Sequence, residues 1–368
     1  MGASLPMVAV TTVQHGAFPS AVVEGPVSCK VVAADDESRW DAFVASQPEA
    51  SGYHLWRWRR VFEQGLGHRS HYLIAERRGL VAGILPLVEV RSRLFGRALS
   101  SLPYVNYGGV LAADAAAGAA LVDRAAAIAR ERSLSFVVLR HRHRLFAGLP
   151  ARSHKVTMLL PLAPTADAMW DQLDRKVRNQ VRKAEKSGVV VESGGLELLD
   201  DFYRVFARNM RDLGTPVYGR DLFAAILREF PVEARLQIGR LNGAPIAVAL
   251  SYAYGDWMEV PSASSLREHR ALCANHLIYW NVISSAIAGG TRMFDFGRST
   301  PNDGTYHFKE QWGAAPQPLW WEYVLGADER LPADDRHSPK YRMTIDLWKR
   351  LPLSVATAVG PHIARLIP

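Results

Sequence analysis

The chain has 368 residues, 48% hydrophobic and 22% charged. At about 100–200 residues per domain that is room for two cores, and the composition excludes a disordered, collagen-like or disulfide-scaffold chain. Two distant cysteines, Cys29 and Cys273, without a CxxC exclude a cysteine-based zinc or redox motif and point to a reducing compartment. The net charge is +8, carried unevenly: residues 1–155 hold 19 Lys and Arg against 12 Asp and Glu, the rest 25 against 24. A solvated basic surface accounts for such an excess, and so does an anionic partner such as RNA, a nucleotide sugar or an acidic membrane face.

In chain order, residues 1–26 read as a flexible lead-in. The first cation is Lys30, so no charged n-region of a signal peptide precedes it. Val27–Ala33 is expected as a strand, and 35–47 and 56–65 as helices. Two strand-like runs, 71–76 and 81–90, flank the turn Arg77-Arg78-Gly79 and predict a hairpin. Residues 99–111 are turn-rich, 114–132 alanine-rich and helical, and 136–140 a short apolar strand. A similar order then begins again. A strand at 156–162 and one long helix at 165–187 precede a strand at 189–192, helices at 196–213 and 221–230, and a hairpin around Asn242-Gly243. After a strand at 257–262, a helix at 271–288 ends at Gly289-Gly290, and strands follow at 292–297 and 320–325. The two hairpins align at an offset of 164 residues, which predicts two copies of one α/β unit. No run of about 18 apolar residues is free of charge or proline, so no spanning helix is expected.

Phosphate-loop, dinucleotide-fingerprint, nucleophile-elbow and zincin motifs are all missing from the sequence. The twelve histidines are scattered, and His141 and His143 have no carboxylate beside them in sequence, so no metal site is expected. Three stretches carry chemistry. On a helix through 174–186, Arg175, Arg178, Arg182, Lys183 and Lys186 share one face and Val177, Val181 and Ala184 the other. A stripe of one sign suits a polyanionic ligand, since guanidinium forks match phosphate oxygens; a solvated face is the plainer alternative. A second stretch, Asp295 and Arg298 followed by Tyr306, Phe308, Lys309 and Trp312, sets the single lysine between Lys186 and Lys340 among aromatic rings. That lysine suits an oxyanion or a phosphate, and equally a snorkelling side chain at a core edge. The third, Tyr104 to Gly109 with Asn106 and Tyr107, is a loop whose glycines let a ligand approach the backbone, or a simple crossover. In His54–Arg60, aromatic and basic residues interleave, but Leu55, Trp58, Val61 and Phe62 lie at helix spacing and are expected in the core.

Leu173–Gly188 (LDRKVRNQVRKAEKSG), Phe294–Ser299 (FDFGRS) and His307–Gly313 (HFKEQWG) resemble FemAB-type proteins of the GNAT superfamily. Within that group the chain is most similar to members associated with PEP-CTERM/exosortase and exopolysaccharide loci, to which Val81–Gly109 adds GILPL, LFG, SLP and YGG. The resemblance spans roughly residues 30–325. It implies an α/β fold of mixed sheets, a tandem duplication of the GNAT-like acyl-CoA N-acyltransferase unit. It implies lead-in 1–26, domains 27–152 and 153–325, the second with the catalytic site, and a linker with an apolar tail at 326–368. It further implies transfer of an acyl or aminoacyl group to an amine of a peptidoglycan or exopolysaccharide precursor. No permanently bound cofactor is then needed; the donor is aminoacyl-tRNA or acyl-CoA. Lys309 would hold the donor or its carbonyl, with Asp295 as a candidate base. Arg175, Arg178, Arg182, Lys183, Arg298, Tyr306, Phe308, Trp312, Asn106 and Tyr107 would bind substrate. Two departures stand out. The nearest counterpart of the pyrophosphate turn [QR]xxGx[GA] is Arg270-Ala-Leu-Cys-Ala-Asn275, and the long helical hairpin of some relatives is missing.

A CoA-dependent N-acyltransferase acting on an amino sugar and a non-catalytic envelope-assembly protein that binds a polyanion are the alternatives. The expected location is the cytoplasm, without a role in DNA binding. Residues 348–368 are expected either to dock on the protein's own core or to touch the inner membrane peripherally, with Trp348 at the headgroups and Lys349 and Arg350 against anionic lipid.

Overall fold

The computed structural model describes residue 18 and residues 25–92, 96–326, 329–331 and 339–367. The first half contains β1 (Val27–Val31), α1 (Glu37–Ser46), α2 (Arg57–Leu66), β2 (Arg69–Ser70), β3 (Leu73–Arg77), β4 (Leu80–Leu85), β5 (Val88–Ser92), β6 (Gly96–Ser100), β7 (Leu111–Ala112), α3 (Ala115–Glu131) and β8 (Phe136–His141). The second contains β9 (Ala151–Pro161), α4 (Ala166–Gln172), α5 (Arg175–Lys186), β10 (Val189–Gly194), α6 (Leu199–Leu213), α7 (Arg220–Glu229), β11 (Ala234–Leu241), β12 (Ala244–Tyr254), β13 (Trp257–Ser265), α8 (Ala274–Ala288), β14 (Met293–Ser299), α9 (Gly304–Glu310) and β15 (Ala315–Leu325). Helices α10 (Pro339–Lys349) and α11 (Leu353–Ala364) follow.

The two halves repeat one plan. The antiparallel order β1-β3-β4-β7 in the first matches β10-β11-β12-β13 in the second. The likeness extends to an irregularity: the β3–β4 ladder slips register between Ala75 and Glu76, the β11–β12 ladder between Gly239 and Arg240. Those are the same positions at the offset of 164. Both turns use a left-handed pair, Arg78-Gly79 with φ of 51° and 78° and Asn242-Gly243 with φ of 50° and 80°. A bulge and a turn matched residue for residue mark a repeated unit rather than hairpin habit alone.

The units are not two separate sheets. One sheet of eleven strands runs β10-β11-β12-β13-β14-β9-β15-β8-β6-β5-β2, so strands of the first half extend the sheet of the second. β15 lies between β9 and β8, antiparallel to both. The expected division between 152 and 153 therefore falls inside β9, whose Ala151 and Arg152 already pair with β15. One aromatic core also crosses the halves. Trp58 of α2 sits 5.3 Å from Phe230 and 5.5 Å from Tyr252 and donates to the Tyr252 hydroxyl at 3.2 Å. Trp58, Val61 and Phe62 are buried, so α2 is a core helix.

Elements differ from expectation where one residue overrides the pattern. The run 81–90 divides at Pro86-Leu87 into β4 and β5, which enter different sheets; proline has no N–H to continue a ladder. The helix expected over 165–187 is two helices, because Asp174 adopts an extended backbone and caps α5 by accepting from Lys176 N–H at 2.6 Å. In the lead-in, Phe18 packs on Phe146 with ring centroids 5.5 Å apart; 1–17 and 19–24 lie outside the described residues.

Glu322 of β15, fully buried, staples the joint between the halves. It accepts from Leu145 N–H at 3.1 Å, Phe146 N–H at 2.6 Å and His141 Nδ1 at 2.7 Å. His141 Nε2 accepts from Val110 N–H at 2.9 Å, which fixes the proton on Nδ1. Replacing Glu322 with Leu strands three donors, the buried His141 and the half-buried N–H groups of Leu145 and Phe146, at about 1–3 kcal/mol each. We expect E322L to lose about 3 kcal/mol or more in urea unfolding, and E322Q to retain part of it.

Candidate functional site

The site is built where two neighbouring strands part. β13 and β14 run parallel for three rungs only, Trp257↔Met293, Met258↔Phe294 and Glu259↔Asp295. Beyond the last rung β13 stays with β12 as far as Ser265, while β14 slips register against β9 between Asp295 and Arg298. Gly297 lies in that slip with φ of +74°, and a Cβ on it would stand 3.1 Å from the Val260 carbonyl oxygen. Both the left-handed backbone and the narrow apex require glycine there. The result is a fork with two carboxylates, Glu259 and Asp295, side by side at its base.

Both are buried, and their partners come from two directions. Asp295 accepts from the Thr157 hydroxyl, from Gly297 N–H at 2.7 Å and from the Tyr107 hydroxyl at 3.0 Å. Glu259 accepts from Asn106 Nδ2. Tyr107 and Asn106 belong to the loop between β6 and β7, so the first unit closes the fork of the second. Burial, and then the neighbouring Asp295 charge, push the Glu259 carboxyl well above the usual range. Burial also raises Asp295, against the pull of its three donors.

Lys309, on α9, donates to the Gly297 carbonyl at 2.8 Å and the Arg298 carbonyl at 3.0 Å. Burial lowers its ammonium to about 8, although Asp295 and Glu259 oppose the shift. Its ammonium thus braces the backbone slip in β14. Lys309 is in this way tied to backbone carbonyls of β14. Asp303 starts α9 by accepting from Thr305 and Tyr306 N–H, both at 2.9 Å.

An open pocket lies on the other side of Glu259, walled by Tyr53, Tyr107, Tyr252 and Trp257, with Arg142 at its edge. The Arg142 guanidinium lies 5.3 Å from the Tyr107 ring centre and 5.0 Å from that of Trp257. Of the two carboxylates only Glu259 lines this pocket; Asp295 sits behind Tyr107. An amine entering it meets aromatic walls and one proton-accepting group.

The expected site residues divide accordingly. Asp295, Lys309, Asn106 and Tyr107 meet at the fork. Arg298 stays close by, its guanidinium 5.8 Å from the Trp321 ring centre. Trp312 is core: it is buried against His276, Phe296 and Phe308, which removes it as a substrate wall. Phe308 and Tyr306, partly buried, pack on that same core. Arg175, Arg178, Arg182 and Lys183 lie on α5, which packs on α8 through Val177, Val181 and Ala184, outside the fork. Among the described residues no carboxylate forms an ion pair with any of them or with Lys176 or Lys186; Arg182 instead lies 5.3 Å over the Trp170 ring. Sequence reading missed Glu259, Tyr53 and Arg142. Glu259 is the sole acid of its strand, a signal in hindsight. Among the described residues no group of three or more His, Cys, Asp and Glu is placed to hold a metal ion.

Residues 171–310 match the family described as Acetyltransferase (GNAT) domain. No curated protein matches the chain. Among solved structures, FemX superposes with a TM-score of 0.62 at 17% identity, over 81% of this chain and 97% of that one. A tandem GNAT protein from the clavulanic acid biosynthesis pathway gives 0.52 at 12%, over 83% and 100%. L-PGS from Bacillus licheniformis gives 0.51 at 11%, over 86% and 98%. The fold is thus a tandem of GNAT-like units, and the second holds the stretch that matches the GNAT acetyltransferase domain.

Lys309 also supplies a measurable signature. With about 8 in the folded chain against the usual 10.5 once unfolded, its contribution to stability is full above pH 10.5 and is lost as pH falls through 8. Urea midpoints of the wild type should therefore rise relative to K309M between pH 8 and 10.5. A constant difference would show that the ammonium is not desolvated.

Proposed function

We propose that the protein transfers an acyl or aminoacyl group from an anionic donor, acyl-CoA or aminoacyl-tRNA, to an amine of a cell-envelope precursor, in peptidoglycan or exopolysaccharide. The observation that carries the reading is the Glu259–Asp295 rung at the base of the fork, with Glu259 facing a pocket. The acceptor enters as an ammonium and loses a proton to Glu259, whose raised affinity for protons suits it as a base. The free amine attacks the donor carbonyl. A C–N bond forms, the C–S or C–O bond to the carrier breaks, and the carrier leaves with a proton. Tyr107 and Asn106 hold the two carboxylates apart from solvent, and Lys309 fixes the slip that aims Asp295. The unpaired cations of α5 suit the phosphates of the donor. Both donor types are made in the cytoplasm, which is where we place the reaction. The FemX likeness and the L-PGS likeness support an envelope acceptor. A carboxylate pair kept in a dry fork has no use in a protein that only binds a polyanion, which favours catalysis.

The decisive assay incubates the full chain with acyl-CoA or charged tRNA and a panel of amine acceptors, reading products by mass spectrometry. Rates should climb with pH through a limb above the ordinary carboxylate range, because Glu259 must lose its proton to act. E259Q should lower kcat by about 10²–10⁴ and abolish that limb. A normal rate and profile in E259Q would remove Glu259 from the reaction.

Charge reversal on α5 tests the donor surface. Arg182 and Lys183 are exposed, so R182E/K183E should fold normally. Its affinity for the anionic donor, read by anisotropy with tRNA or CoA, should fall, and for tRNA the salt slope should shrink by about 0.7–0.9 for each lost phosphate contact.

A further inference from the structure

Large apolar side chains are exposed at eleven positions among the described residues, and five of them, Met343, Leu347, Val355, Val359 and Ile367, lie within α10, α11 and the residues just after. Leu213, at the end of α6 against which α10 packs, is a sixth. The clustering follows helix geometry. Met343 and Leu347 stand four apart on α10, as do Val355 and Val359 on α11, so each pair forms one outward stripe. The inward stripes are different residues: Trp348 on α10, and Ala356, Gly360 and Ala364 on α11, are buried. Both helices pack on α6, and Arg211 ties their joint by donating to the Leu351 carbonyl at 3.1 Å. The helix pair is thus docked on the protein's own core, with Trp348 facing inward rather than toward headgroups. The outward stripes of Met343, Leu347, Val355 and Val359 are apolar and, among the described residues, exposed.

We infer that this outer face rests on an anionic membrane surface. Among the described side chains, the two helices and the residues beside them carry three exposed cations, Lys349, Arg350 and Arg365, against one acid, Asp346, which pairs with Lys349 at 3.5 Å. Negative headgroups complement that rim, whereas a second copy stacked on the same face would bring a rim of like net charge against it. The lengths also fit: at eleven and twelve residues the helices are too short to span, and no described helix is long and apolar enough to cross a membrane, so the pair lies in the plane of the interface. Exposed apolar patches edged by charge are a recognised mark of such surfaces. The inference needs no assumption about the transfer reaction.

The test is flotation of the full chain with phosphatidylglycerol–phosphatidylcholine vesicles and with phosphatidylcholine vesicles alone. The chain should float with the anionic vesicles, less so as salt rises, and hardly with the neutral ones. L347E/V359E changes exposed positions only, so its melting temperature should hold while the bound fraction drops by about tenfold. K349E/R350E should weaken partitioning by about fivefold per cation and flatten the salt dependence. Failure of the full chain to float, or binding that both variants leave unchanged, would overturn the inference. So would a dimer in the absence of vesicles that L347E/V359E abolishes, since a second copy would then be the partner.

Discussion

Two carboxylates occupy one rung of a parallel strand pair, out of water, and much of the second unit is arranged around that. Neighbouring strands stand about 4.8 Å apart, so Glu259 and Asp295 repel unless one holds a proton or both find donors. The fold supplies donors from three elements: Thr157 from β9, the Gly297 N–H from the slip in β14, and Asn106 and Tyr107 from the first unit. Asp295 receives three of these contacts and Glu259 one. That inequality separates the roles of two like groups on one rung. Asp295 is anchored, and Glu259 keeps a side toward the pocket, as its proposed role as base requires.

The dependence on Asn106 and Tyr107 explains why a duplicated unit is kept in which only one copy carries the fork. In the second unit β13 is nine residues long, enough to pair with β12 along most of its length and with β14 at its start. Its counterpart β7 is two residues long and pairs only with β4. β8 therefore finds other neighbours, β6 in parallel and β15 antiparallel. The chain that would have completed a fork in the first unit becomes the loop that closes the other one. It holds Leu102 and Tyr104 at positive φ, 50° and 73°, a strained path for residues with side chains. Strain of that kind persists where surrounding contacts dictate it, and Tyr104 is held by its hydroxyl's bonds with His68 and the Arg365 carbonyl.

Local pattern made the repeat legible. Gly79 and Gly243, apolar runs on either side, and an offset of 164 were enough to predict two like units, and the matched register slips agree. The joining of the units was hidden, because no pattern within β8 or β15 says which edge each will meet. β9 and β15 pair across 156 positions of sequence at Ala315–Leu159 and 171 at Glu322–Ala151, and share most of their length. At the site, Asp295, Lys309, Asn106 and Tyr107 were readable as unusual polar residues in apolar or turn-rich settings. Glu259 was not, since WMEVPSASS carries no motif and its meaning comes only from a neighbour supplied by the 293–299 strand. Trp312 was misjudged for the converse reason: an aromatic beside a functional lysine suits a binding wall and a core equally well, and burial alone decides.

The charge balance of the whole chain also pointed away from the surface proposed for the donor. The excess of cations lies in residues 1–155, yet many arginines there are engaged. Arg39 pairs with Asp36 and Glu76, Arg60 with Glu37 and Glu229, Arg77 with Asp114, and Arg91 and Arg132 both with Glu89. Burial penalises Glu89, but the side chains of Arg132, Arg91 and His71 reverse this and hold its carboxyl at about 2. These charges set the geometry of the first unit and leave little field for a partner. The half that is nearly neutral by count holds α5, whose six cations have Glu185 as the one acid on their own helix and form no ion pair among the described residues. Attraction for an anionic donor depends on charge left uncompensated at a place, and falls off within about 8–10 Å at physiological salt. Net charge summed over a domain averages across that distance many times, so pairing, residue by residue, is the quantity that locates the surface.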